Sequence, residues 1–78
     1  MTSTTSLDRA PMGRPLTLMR AEGSPDLCRR LAALGLRRGA QVQLVHRTAG
    51  GGRVVGVAGS RIALDSTMLS KLFVEVAR

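Results

Sequence analysis

Tryptophan and tyrosine are absent from this 78-residue chain, and Phe73 is its single aromatic residue. A stacking platform of the kind that holds single-stranded nucleic acid would therefore have at most one member. Cys28 is the single cysteine, which excludes an internal disulfide and suits a reducing cytosol. His46 is the single histidine, and with Cys28 it falls short of the four N or S ligands of a structural zinc site. Neither a tight metal centre within one chain nor a cofactor is expected. Long apolar runs are missing too. Nothing approaches the ~20 residues of a membrane span, and the opening stretch, MTSTTSLDRAPMGRP, lacks the apolar segment of a signal peptide. A cytoplasmic protein that does not insert directly into a membrane is the expectation. Catalysis also lacks its parts. Ser60, Ser66 and Thr67 have no histidine nearby in sequence, and the five acids are scattered. The stretch AGGGRVV has neither the Lys-Ser/Thr nor the following helix of a phosphate-binding loop. No enzyme activity and no small-molecule substrate are expected.

What the chain has is positive charge. Eleven arginines and Lys71 against five acids give a formal net charge of +7, which attracts phosphates, anionic lipid or an acidic protein face. Hydrophobic residues make up 44% of the chain, and with one aromatic among them the core has to be built from aliphatic side chains. The length allows one small domain.

Residues 1–14 are rich in Thr, Ser, Pro and Gly and are expected to form a disordered tail, with the domain spanning 15–78. From Pro15, LTLM reads as a first strand. Ser24-Pro25-Asp26 opens a helix: serine accepts an orphan N–H, proline suits the first helical position, and aspartate favours the positive end of the dipole. Leu27, Leu31 and Leu34 fall at i, i+4 and i+7 as one core-facing stripe. Gly35 stops the helix in a left-handed conformation, and Leu36 is expected to fold back on Leu31. Arg37-Arg38-Gly39 reads as a turn. AQVQLVHR alternates, with Val42 and Leu44 inward and Gln41 and Gln43 outward. TAGGG reads as a flexible hairpin loop, RVVGVA as the return strand and Gly59-Ser60 as a tight connection. RIALD then turns Ile62 and Leu64 inward, Asp65 or Ser66 caps a short helical turn reaching Lys71, and LFVEV closes the domain with Leu72, Val74 and Val76 on one side. The expected fold is mainly β: a small, closed or nearly closed barrel of about five strands. One α-helix lies between strands 1 and 2, and a short helical turn precedes the last strand.

Arg29, Arg30, Arg37 and Arg38 lie on the polar side of the helix and the adjoining turn, where they form either a binding patch or a set of solvating charges. The chain around them resembles the FeoA family over most of residues 15–76. The likeness rests on Pro15-Leu16, Gly23, Leu31, Leu34-Gly35-Leu36, Gly39, Val42, Leu44, Gly59, Ile62-Ala63-Leu64, Leu72 and Val74. It implies an SH3-like barrel, no enzyme activity, and a partner in the cytoplasmic G-protein region of a FeoB-like ferrous iron transporter, through which the protein would be recruited to the inner membrane. On this reading Leu36 joins Arg29, Arg30, Arg37 and Arg38 as a candidate contact residue. Two positions depart from the family pattern: AGGGR stands where a Gly-Pro pair is common, and Asp65 where a basic residue is common. The same barrel occurs as a module of metal-dependent repressors, but a 78-residue chain consumed by the barrel leaves no room for a helix-turn-helix, and no DNA partner is expected. The alternative is a small barrel that binds RNA, favoured by the charge and opposed by the missing aromatics.

Overall fold

Alternating leucines and valines give strands here, and the computed structural model, which describes residues 4–76, assembles six of them. In chain order the elements are β1 (Thr4–Ser6), a 3-10 turn (Leu7–Arg9), β2 (Leu16–Ala21), α1 (Pro25–Ala33), β3 (Gln41–Arg47), β4 (Arg53–Val57), β5 (Ser60–Leu64), α2 (Ser66–Leu69) and β6 (Leu72–Val76). All neighbours are antiparallel, in the order β1-β6-β2-β3-β4-β5. Irregularities between Leu18 and Arg20 in β2 and between Leu44 and His46 in β3 break the register and bend the sheet around its apolar face. Leu16, Leu18, Val42, Leu44, Val55, Leu72 and Val74 bury on that face, together with Leu31 and Leu36 from the end of α1 and Leu69 from α2. Each fully buried leucine or valine contributes roughly 1.5–3 kcal/mol of transfer free energy.

Three expectations fail. The sheet is open rather than a closed or nearly closed barrel, because β1 and β5 lie at its two edges and do not pair with each other. It has six strands rather than five. The sixth comes from the segment expected to be a disordered tail: Thr4, Thr5 and Ser6 pair with Glu75, Val74 and Phe73. Leu7 is fully buried, and the Gly13 N–H donates to the Leu44 carbonyl at 3.0 Å. Composition averaged over the segment hid one leucine with a place in the core. Residues 1–3 of that expectation lie outside the described residues.

The helix stop has the hydrogen bonds of a Schellman ending. Ser24 Oγ accepts from Leu27 N–H at the start of α1. At its end Gly35 N–H donates to the Ala32 carbonyl and Leu36 N–H to the Leu31 carbonyl, both at 2.9 Å, and Gly35 has φ 95°. A Cβ at Gly35 would meet Ala58 and Val57 side chains no closer than 3.5 Å, so space is not the obstacle. The backbone angle is. Gly35→Val is expected to lower stability by about 1–2 kcal/mol, read by thermal melting.

The β4–β5 connection is a tight turn one residue earlier than expected. Ala58 (φ 51°) and Gly59 (φ 78°) are its central residues, closed by the Val57–Ser60 pair, as in a type I′ hairpin.

Candidate functional site

The basic corner starts from backbone bonds. Ala40 N–H donates to the Arg37 carbonyl at 3.0 Å, closing a turn over Arg37-Arg38-Gly39. Gly39 N–H donates to the Leu18 carbonyl at 2.7 Å, and Leu18 N–H to the Ala40 carbonyl at 2.9 Å. The turn is thus tied to the middle of β2 while the helix stop holds its other end. The side chains of Arg37 and Arg38 are exposed and make no hydrogen bond or ion pair among the described residues. The same holds for Arg30 in the last turn of α1, where its charge complements the helix dipole. Arg29 differs: its guanidinium pairs with Asp26 one turn earlier, an exposed contact of small energetic weight. Of the four candidate arginines, three are therefore free of partners among the described residues.

Leu36, expected both to fold back on Leu31 and to serve as a contact residue, is 1% exposed and takes the core position, while Leu34, read as part of the core stripe, is 50% exposed. The reason lies in the helix ending. Leu34 is the C-cap, with no further turn beyond it to cover the side chain, and the chain reverses so that Leu36 takes the core position near Leu31. Of the other motif residues, Leu31, Val42 and Leu64 are buried, Ile62 is half-buried, and Gly39 and Gly59 hold left-handed turn positions.

Recesses flank the Arg37-Arg38 turn on both sides. One, of about 310 Å³, lies between β2 and α1, where Leu36 forms part of the wall beside Met19, Ala21, Cys28 and Ala32. The other, of about 420 Å³, runs from the turn toward Val57 and Ala58. Sequence pattern carried no signal for either, because the first depends on how α1 packs beside β2 and the second on how the turn meets the β4–β5 connection. At the edge of the first recess the Arg20 guanidinium lies 4.3 Å from the centre of the Phe73 ring and donates to Glu22 at 3.2 Å. One face of the single aromatic ring is thereby occupied by a cation.

Cys28 is half-buried, its thiol 3.8 Å from the Ala21 carbonyl, and His46 is exposed on β3. Among the described residues no group of three or more His, Cys, Asp or Glu side chains is placed to hold a metal ion.

An open antiparallel sheet, a helix with a glycine stop and a basic corner between shallow recesses make up a small SH3-like domain. The FeoA domain model matches residues 5–76, and the chain belongs to that family. The match begins inside β1, ten residues before the expected domain boundary at residue 15, in keeping with the ordered start of the sheet. No curated protein sequence matches the chain. Among solved structures, an iron uptake regulatory protein (FeoA) is 20% identical with a TM-score of 0.86, covering 96% of this chain and 100% of its own. The iron(II) transport protein A from Clostridium thermocellum is 26% identical with a TM-score of 0.85, covering 94% of this chain and 46% of its own. A manganese-dependent transcriptional repressor shares the fold at 19% identity and a TM-score of 0.83 through 44% of its length.

Proposed function

We propose that this chain is a non-enzymatic accessory protein of ferrous iron transport, acting by contact with the cytoplasmic G-protein region of a FeoB-like membrane transporter. Family membership supports the process, and iron transport or uptake is what the names of two similar structures state of those proteins. Among the described residues no helix is long and apolar enough to cross a membrane, so membrane recruitment would run through the partner. The observation that carries the contact is the set Arg30, Arg37 and Arg38: exposed, unpaired among the described residues, and mounted next to a turn that β2 holds in place. Guanidinium groups held this way meet an acidic protein face without first giving up internal ion pairs.

The test is the double reversal Arg37→Glu with Arg38→Glu. Thermal stability should change by no more than about 0.5 kcal/mol, because both side chains are exposed and without partners. Binding to the transporter's G-protein region, by calorimetry, should weaken by about tenfold or more. Ferrous iron uptake should fall in cells that carry only the variant. Full complementation would remove these two arginines from the contact. Sub-micromolar binding to generic RNA at ~0.15 M salt, lost on the same substitutions, would move the reading to an RNA-binding domain.

A further inference from the structure

Resting on that proposed contact, the recess between β2 and α1 identifies the chemistry of what docks there. Leu27 and Leu31 turn the main apolar face of α1 toward the core, and Cys28 and Ala32, one turn apart, form a second stripe beside it. Both are small. On β2, Leu16 and Leu18 point inward, while Met19 and Ala21 line the recess together with that stripe. Met19, Ala21, Cys28 and Ala32 are half-buried, neither packed away nor free in water. Small residues on both walls leave a gap that larger ones would fill, and a flexible methionine can adapt its shape to an incoming group.

The rim has one sign of charge. Arg20, Arg37 and Arg38 border the recess, and no acidic residue lines it. Arg20 is held by Glu22 and Phe73, whereas Arg37 and Arg38 have no partner among the described residues. An apolar floor under a cationic rim selects an occupant with an aliphatic anchor and nearby carboxylates. Nucleic acid fits it badly, because the lining offers no aromatic ring and Phe73 already carries Arg20 on one face. We infer that the recess between β2 and α1 receives a short acidic segment of the partner protein. One aliphatic side chain enters between Met19, Cys28 and Leu36, and carboxylates flanking it meet Arg37 and Arg38.

Cys28 is the single thiol of the chain, so its alkylation reports on the recess without labelling chemistry elsewhere. The full chain is treated with N-ethylmaleimide in ~0.15 M salt, with and without the cytoplasmic G-protein region of the FeoB-like transporter as probe. At about ten times the dissociation constant the probe should slow Cys28 alkylation about tenfold, as mass action requires for a blocked site. Ala32→Trp, which fills the gap from the helix side, should weaken probe binding by about tenfold or more. Should that variant fail to fold, protection of Cys28 in the wild-type chain decides alone. A probe that binds while alkylation stays unchanged overturns the recess and leaves the proposed function standing. No binding at ~100 μM probe, well above the range of a specific cytoplasmic contact, overturns both. Equal protection by a 20-nucleotide RNA or by phosphatidylglycerol vesicles overturns the acidic protein segment as occupant.

Discussion

Leu7→Ala should lower the free energy of unfolding by about 3 kcal/mol, the middle of the range for truncating a leucine in a packed core. In a domain of this size that corresponds to a fall of roughly 12–24 °C in the melting midpoint. Leu7 is 0% exposed and follows directly on β1, in a 3-10 turn that packs against α2 and β6. Its truncation removes transfer free energy and leaves a cavity in the core cluster, where the turn packs against α2 and β6. Small domains have little stability in reserve, so a loss of this size brings the variant close to unfolding at physiological temperature. Thr4→Ala supplies the control: Thr4 is exposed on the edge strand, and its substitution should move stability by less than about 0.5 kcal/mol. Urea and thermal unfolding of both variants measure the difference. Equal melting of Leu7→Ala and wild type would mean that the buried Leu7 side chain adds nothing to the fold.

The segment containing Leu7 also marks where sequence reading ran out. Residues 1–14 have the composition of a disordered stretch, and a mean over fourteen residues cannot register one leucine that closes the end of a core or three residues that extend a sheet. Helix α1 was legible from both of its ends, because capping and the glycine stop are local events fixed by neighbours three to five residues apart. The inward faces of β2, β3 and β6 were legible for a similar reason: alternation at period two appears in the sequence as Leu16 and Leu18, Val42 and Leu44, Leu72 and Val74. Closure was not, since whether β5 meets the far edge depends on accumulated bend and on the unexpected β1, neither of which is a local quantity. In the candidate site, the arginines were visible as charges, but the division between the paired Arg29 and the unpaired Arg30, Arg37 and Arg38 required coordinates. The exposure of Leu34 has a rule that sequence could have applied: once Gly35 is the stop, the residue before it is the cap and lies at an exposed end of the stripe.

Gly52→Ala should lower stability by about 2 kcal/mol or more, and for a reason unlike that at Gly35. AGGGR looks like a loop of interchangeable, mobile glycines, yet Gly52 is buried and has an ordinary φ of −74° that alanine adopts freely. The obstacle is contact. A Cβ at Gly52 would stand 2.5 Å from Thr48 Oγ1 and 2.8 Å from the Leu64 carbonyl oxygen. The loop lies close to the end of β5 and is closed on itself: Thr48 N–H donates to the Gly52 carbonyl at 3.0 Å, and Arg53 donates to the carbonyls of Gly51 and Gly52 at 2.9 Å each. The two contacts are separable. Thr48 Oγ1 is the end of a side chain, so Thr48→Ala combined with Gly52→Ala relieves that clash, but the Leu64 oxygen is backbone and stays where β5 places it. The double variant should therefore recover part of the loss and remain destabilised, a coupling that a double-mutant cycle reads directly. Gly50→Ala is the contrast: nothing lies within 4 Å of its Cβ position, and its φ of 75° alone should cost about 1 kcal/mol. A Gly52→Ala chain as stable as wild type, or one restored completely by Thr48→Ala, would show that the loop does not rest on the β5 backbone.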